Sequence, residues 1–123
     1  MATQNDFEAI FLRLRSILQP YAGRLNVTAD ESDNYYLDTP YSDKYKKPIF
    51  FGAVQIKKNY VSFHLMPVYM NTALLDSMSP ELRKRMQGKS CFNFTKPDEG
   101  LFTELAALTQ KGFEGFAKQK LVT

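Results

Sequence analysis

Residues 49–94 constrain the fold of this chain more than any other segment of its 123 residues. The segment begins with an apolar run rich in β-forming residues, passes through a turn at residues 58–59, and ends with a short apolar run at residues 90–95. Between the runs, residues 79–81 are Ser-Pro-Glu, a typical helix start, because Ser caps a helix and Pro is tolerated in its first turn. The pattern predicts strand, turn, strand, helix and strand, in that order.

Residues 60–69 alternate between apolar and polar side chains, as expected for a strand with one buried face. The side chains predicted to face the core are Val61, Phe63 and Leu65. Those predicted to face the other way are Ser62, His64 and Met66. Because Pro67 cannot donate a hydrogen bond to a neighbouring strand, we expect the end of this strand at an edge or a bulge.

Two long helices are predicted near the ends of the chain, because apolar residues recur there every three or four positions. The first is expected to stop at Pro20, and its apolar stripe consists of Phe7, Ile10, Phe11, Leu14, Ile17 and Leu18. The last is expected to follow a cap at Asp98, and its apolar face consists of Leu101, Phe102, Leu105, Leu108, Gly112, Phe113 and Phe116. The short helix after Ser79 is expected to include Met86 and to stop at Gly88.

The predicted fold is α+β, with one domain over residues 1–123 that forms a two-layer sandwich. The sheet is expected to have five strands, mostly antiparallel, because the connections between strands are short. Both long helices are expected on one face of the sheet, and the small helix is inserted before the last strand. The other face is then polar or partly open, and we expect a functional site there.

Composition limits the classes of function. The chain has 16 basic and 13 acidic residues and a net charge of +3, so nucleic-acid binding is not expected. The N-terminus lacks the basic and apolar regions of a signal peptide, and no apolar run is long enough to span a membrane. The single cysteine, Cys91, cannot form an internal disulfide and suits a reducing compartment. These features predict a cytoplasmic protein without a membrane partner.

Cys91 and the only histidine, His64, are the strongest candidates for reactive chemistry. If the polar faces of their two strands coincide, both residues share one surface with Ser62, Asn93 and a strand tyrosine. Such a surface suits a Cys–His pair, a soft metal site, or simply a polar sheet face with an inert thiol. The residues predicted to bind a ligand are Tyr36, Tyr60, His64, Tyr69, Lys89 and Cys91.

Charged residues form two further clusters. Carboxylates suited to hard cations occur at Asp30, Glu31, Asp33, Asp38 and Asp43, although a solvated loop with turn-forming residues is the favoured interpretation. Basic side chains that could bind phosphate or an acidic partner occur at Arg83, Lys84, Arg85 and Lys89. A solvated helix face is the alternative interpretation of the basic cluster.

Residues 47–116 resemble the YdhG-like family of small bacterial proteins of unknown function, which have a frataxin-like layout. The matching segments are PIFFGAVQIKKNYVSFHLMPVY, SPELRKRMQGKSCFNF and LFTELAALTQKGFEGF. The resemblance implies an antiparallel sheet backed by two helices. It also implies an intracellular iron chaperone that delivers Fe²⁺ to iron–sulfur or haem assembly proteins. The carboxylates that correspond to an iron site here are Asp6, Glu8, Asp30, Glu31 and Asp33.

Three functions follow from these observations as hypotheses. The first is a non-enzymatic binding module whose open sheet face takes a small ligand or a protein partner. The second is the iron chaperone that the resemblance implies, with weak carboxylate sites for Fe²⁺ as its only candidate cofactor. The third is an enzyme that uses Cys91 and His64. An exposed edge strand, near Pro67 or at residues 35–39, could also pair two copies of the chain into a homodimer.

Overall fold

The computed structural model of the chain describes residues 4–88 and 90–121. Its α-helices are α1 (Gln4–Leu18), α2 (Met66–Met70), α3 (Pro80–Arg83) and α4 (Glu99–Lys118). Its strands are β1 (Asn26–Glu31), β2 (Asn34–Asp38), β3 (Phe50–Ile56), β4 (Val61–Leu65), β5 (Met86–Gln87) and β6 (Cys91–Phe94). Two 3₁₀ segments, Gln19–Arg24 and Thr72–Ser77, connect these elements. Within the described ranges, no helix has the length and apolar character needed to cross a membrane.

The strands form one antiparallel sheet in the order β1-β2-β3-β4-β6-β5. The predicted α+β class and the antiparallel sheet are therefore confirmed. The sheet has six strands where five were expected. Because β2 is paired on both sides, by β1 and by β3, the proposed edge at residues 35–39 is wrong.

The additional strand is β5, which the sequence pattern had placed inside the small helix. Ser79 does cap α3, since its Oγ accepts a hydrogen bond from the Leu82 N–H at 3.1 Å, but α3 ends at Arg83. Met86 then pairs with Phe92 and Gln87 pairs with Cys91. Gly88 does not stop a helix, because it lies in the β5–β6 turn with φ +80°, a conformation that favours glycine. Cross-strand pairing therefore replaces a second helical turn.

Strand β4 is shorter than the alternating pattern suggested. It ends at Leu65, and Met66–Met70 form α2 instead of continuing the strand. Pro67 lies in the first turn of α2, where its missing N–H has no helical partner to lose. As a consequence, Tyr69 lies on a helix and not on the polar face of the sheet.

One face of the sheet carries the core, and both long helices pack against it. Phe102 of α4 contacts Phe94 with ring centroids 5.1 Å apart, and Phe113 and Phe116 of the same helix contact Phe51. The pairing of β2 with β3 shifts by one residue here, so no residue of β2 lies opposite Phe51. This irregularity allows the Phe51 ring to lie on the same face as the helices. Residues on this face, which we call the helix face, include Val54, Val61, Phe63, Leu65 and Phe92, all 0% exposed.

Candidate ligand site on the open sheet face

The opposite face of the sheet, which we call the open face, is formed by the alternate residues of each strand. Cross-strand register places Tyr36 opposite Ala53, Ala53 opposite His64, His64 opposite Cys91, and Cys91 opposite Gln87. A second row beside it consists of Asn34, Gln55, Ser62 and Asn93. The prediction that Ser62, His64, Cys91 and Asn93 share one surface with a strand tyrosine is thus confirmed, and Tyr36 is that tyrosine.

Three side chains on the open face form a hydrogen-bonded row. The Nε2 atom of His64 lies 2.9 Å from Ser62 Oγ, and its Nδ1 atom lies 2.9 Å from Cys91 Sγ. Ser62 Oγ in turn donates to the Gln55 carbonyl oxygen, at 3.5 Å. A hydroxyl that donates to a carbonyl still has lone pairs that accept from Nε2–H, so we assign the proton of neutral His64 to Nε2. Nδ1 is then the acceptor for the Cys91 thiol.

Burial lowers the pKa of His64 from its ordinary value of 6.5, and the positive charge of Lys57 lowers it further. Both effects disfavour the imidazolium, since a buried cation loses hydration and a neighbouring cation repels it. His64 is therefore neutral at neutral pH. Its neutral ring can accept a proton at Nδ1 while Ser62 holds its orientation.

Aromatic rings border the same row on the β2 side. Tyr36 stacks on Phe50 with ring centroids 4.7 Å apart, and Phe50 meets His64 edge-on at 6.5 Å. Burial raises the pKa of Tyr36, and the negative charge of Asp38 adds to that effect. Burial also raises the pKa of Asp38. This end of the open face is therefore apolar enough to disfavour charge.

A shallow cleft of about 330 Å³ lies at the other end of the open face, beside the β5–β6 hairpin. Tyr60 lines it from the β3–β4 turn, which is closed by a 2.8 Å hydrogen bond from the Lys57 N–H to the Tyr60 carbonyl oxygen. We call it the Tyr60 cleft, and its other lining residues are Asn59, Lys84, Arg85, Met86, Gln87, Asn93 and Thr95. Asn93 donates a side-chain hydrogen bond to Gln87 Oε1, which couples the two strands that form its floor.

The six residues predicted to bind a ligand do not form one cluster. Tyr36, His64 and Cys91 lie on the open face, and Tyr60 lines the cleft at its end. Tyr69 is placed elsewhere, because residues 66–70 form α2, and it is 53% exposed. Lys89 lies outside the described residues. None of the five described clefts is lined by His64 or Cys91.

The predicted iron ligands lie on α1, on β1 and in the turn that follows β1. Glu8, Asp30 and Glu31 line a cleft of about 400 Å³ between α1 and β1. Arg15 lines the same cleft and forms a 2.8 Å ion pair with Asp30, which already neutralises that carboxylate. Asp6 and Asp33 are not among the residues that line it. Across residues 4–88 and 90–121, no three His, Cys, Asp or Glu side chains are grouped closely enough to hold a metal ion.

Sequence reasoning missed Phe50, Gln87 and the role of Arg85 in a cleft. Phe50 lies in an apolar run without alternation, so the sequence does not indicate which face of the sheet its ring occupies. The register shift between β2 and β3 decides this. Gln87 and Arg85 were assigned to a helix, and only the glycine at position 88 hinted at a hairpin turn. A turn-favouring glycine four residues before Phe92 is the one signal that could have identified β5.

Comparisons with protein-family models, with curated proteins and with solved structures find no match to this chain. The resemblance to the YdhG-like family and the frataxin-like layout therefore stay predictions. The description of the site depends on the geometry of this chain alone.

Proposed function

We propose that this domain is a non-enzymatic binding module that takes a small anionic ligand, carrying a phosphate or carboxylate group, at the Tyr60 cleft. The observation that carries the proposal is the charge of the cleft lining. Lys84 and Arg85 line it, and none of its described lining residues is Asp or Glu. An anion there would meet cations and amide donors without a competing carboxylate.

The two cations are available for a ligand. The described ion pairs join Arg13 to Glu99 and Arg15 to Asp30, so neither involves Lys84 or Arg85. Tyr60 and Asn93 add neutral hydrogen-bonding groups to the same lining. Cationic and neutral donors that converge on one concave surface are the usual features of a small-anion site.

A second cleft, of about 300 Å³, adjoins the first and shares Arg85 and Thr95 with it. Lys96 adds a third cation to this pair of clefts. Asp98 also lines the second cleft, but it already accepts a hydrogen bond from the Leu101 N–H at 3.1 Å as the cap of α4. The two volumes together suit a ligand larger than one phosphate group.

The open face provides the surface next to the anchored group. Gln87 lines the cleft and lies opposite Cys91 in register, and Cys91 lies opposite His64. A ligand held by Arg85 therefore lies next to Tyr60, and Gln87 separates it from Cys91 and His64 on the open face. The Tyr60 cleft would then bind the anionic group of the ligand. The open face would contact a neutral or aromatic group of the same ligand.

The test is a titration of the ¹⁵N-labelled chain with inorganic phosphate and with pyrophosphate, followed by amide NMR shifts. We expect saturable shifts confined to residues around Tyr60, Gln87, Asn93 and Thr95, with an affinity that falls as salt is added. Arg85→Gln should weaken binding by about tenfold or more, since a hydrogen bond to a charged group contributes roughly 1.5–3 kcal/mol. Lys111→Gln on α4 is the matched control and should leave binding unchanged.

Three outcomes would contradict the proposal. Shifts spread over every surface lysine would indicate unspecific charge attraction, as would equal losses in the Arg85 and Lys111 variants. Saturable binding of Fe²⁺, titrated anaerobically, with shifts confined to Glu8, Asp30 and Glu31 and no phosphate response, would favour the iron-chaperone alternative. A protein partner instead of a small ligand would show as no response to either probe.

A further inference from the structure

The row formed by Ser62, His64 and Cys91 has an arrangement that anion binding does not use. The thiol faces Nδ1 of a neutral imidazole at 2.9 Å, and the other ring nitrogen is held by Ser62. An acceptor in this position can take the thiol proton as the sulfur attacks. Three chemically matched groups, Ser62 and His64 on β4 and Cys91 on β6, are thus linked by consecutive hydrogen bonds on the open face.

The environment of this row allows access to the sulfur. Cys91 is half-buried on the face of the sheet opposite to α1 and α4, while Ser62, two residues before His64 on β4, is 2% exposed. Cys91 is therefore partly accessible to solvent, and the group that orients the imidazole is shielded from water. A fully buried thiol would be inert, whereas an exposed one without a base would react as a simple thiol.

The chain has no second thiol, so a sulfur partner for Cys91 must come from another molecule. We propose that Cys91 is a site of thiol–disulfide exchange with low-molecular-weight disulfides, with His64 as the base. The number of ligands favours this class of partner over a metal ion, because His64 and Cys91 supply only two, and no third His, Cys, Asp or Glu among the described residues joins them.

The exchange balances without a further oxidant. The Cys91 sulfur attacks one sulfur of the disulfide R–S–S–R, a new S–S bond forms, and the old one breaks with its electron pair leaving on RS⁻. The thiol proton passes to His64 Nδ1 and then to the departing thiolate or to water. The Cys91 sulfur is oxidised and the leaving sulfur is reduced.

The groups around the row set its expected pH dependence. The neighbouring strands contribute both charged and neutral polar groups to the surroundings of the row. These groups are Gln55 and Lys57 on the β3 side, Tyr36 and Asp38 on β2, Asn93 on β6, and Gln87 on β5. Lys84 and Arg85 lie at the adjoining cleft. Lys57 repels the imidazolium, and the carboxyl of Asp38 is in the apolar part of the face. The ring of His64 therefore remains a neutral proton acceptor at pH values below its ordinary pKa of 6.5.

The experiment measures the rate at which the reduced full chain reacts with 5,5′-dithiobis(2-nitrobenzoic acid) and with glutathione disulfide, between about pH 5 and 9. Because Cys91 is the only thiol, all product reports on this site. We expect His64→Gln to slow the reaction at least about tenfold near neutral pH, as for loss of a base. The variant should react as a simple thiol throughout this range, whereas the wild type should stay faster than the variant wherever His64 is neutral.

Ser62→Ala supplies a second arm, since it keeps both Nδ1 and the thiol but removes the group that holds Nε2–H. It should lower the rate by less than His64→Gln does, while Ser77→Ala, at an exposed serine, should leave it unchanged. Each comparison is repeated in urea, where all three variants should react at the rate of the unfolded wild type. Equal rates and pH profiles for folded wild type and His64→Gln would overturn the proposal, as would a difference that persists in urea.

Discussion

The two faces of the single sheet differ in what their residues contact. On the helix face, Phe63 and Phe92 are 0% exposed and contact each other with ring centroids 6.5 Å apart. On the open face, the paired residues His64 and Cys91 are half-buried and joined by a hydrogen bond. Both pairs lie on β4 and β6, one residue apart along each strand. A single strand pair therefore provides the core on one side and the candidate chemistry on the other.

The comparison shows that burial on the two faces has different causes. On the helix face, α1 and α4 exclude water from large apolar side chains. On the open face, the two most buried residues are small, Ala53 at 1% and Ser62 at 2% exposed, because longer neighbours cover them. A face buried only by its own side chains should contribute less to stability and should respond more to pH.

The largest expected effect comes from truncating one phenylalanine on each face. Phe63→Ala should lower the free energy of unfolding by about 3–5 kcal/mol, because it leaves a cavity in the core on the helix face. Phe50→Ala, which removes a half-buried ring stacked on Tyr36, should cost about 1 kcal/mol. Urea unfolding of both variants measures the difference. Equal losses would show that the open face is as well packed as the core.

A smaller effect is expected where the helices contact each other. A Cβ atom at Gly112 of α4 would lie 2.6 Å from Pro67 Cβ, so Gly112→Ala must push α2 and α4 apart. We expect it to lower the free energy of unfolding by about 1–2 kcal/mol, since overpacking outweighs the gain in helix propensity. Gly115→Ala is the control, because nothing lies within 4 Å of its Cβ position.

The Gly115→Ala variant should be stabilised by up to about 1 kcal/mol, the difference between glycine and alanine inside a helix. Both changes are measured by thermal and urea unfolding. If Gly112→Ala were as stable as Gly115→Ala, the close approach of α2 to α4 would not be a tight contact, and the helix layer would be looser than described.

The smallest effect is the pH dependence contributed by His64. Because its pKa is lower in the folded state than the ordinary 6.5, the unfolded chain binds the proton more tightly. The free energy of unfolding should therefore fall as pH drops below about 6.5, by no more than about 1.4 kcal/mol per pH unit for one proton. His64→Gln should lack this contribution between about pH 5 and 6.5, and the raised pKa of Asp38 affects both proteins alike, so it cancels in the comparison.

The slopes, rather than the absolute stabilities, are the quantity to compare, since His64→Gln also removes two hydrogen bonds. Urea unfolding at several pH values gives both slopes. A wild-type slope that is absent or of opposite sign would mean that His64 is solvated, and that the open face does not disfavour charge.

The helix face was predictable from local pattern. The periodic stripes predicted α1 and α4, Asp98 caps α4 as expected, and the alternation of β4 placed Phe63 and His64 on opposite faces. These features depend on residues within a few positions of each other, where propensity and periodicity act directly. The order of the elements other than α2 and β5 followed from the same information.

The small helix and the strand edges were less predictable. Met86 suits a helix by propensity, yet it pairs with Phe92 because the glycine at position 88 allows a hairpin. Likewise, Met66 fits an alternating strand, but Pro67 starts α2 at once. In both places two local structures are nearly equal in preference, and tertiary pairing selects one of them.

The sequence by itself determined the α+β class, the two long helices, and the opposite faces of β4, because each follows from the spacing of apolar residues along a short segment. Tertiary structure alone decided which distant residues meet. His64 and Cys91 are 27 residues apart and become neighbours only because β4 pairs with β6. Tyr60 and Arg85 share a cleft only because β5 folds back as the edge strand. Such contacts depend on the free energy of the whole sheet, which no local pattern contains.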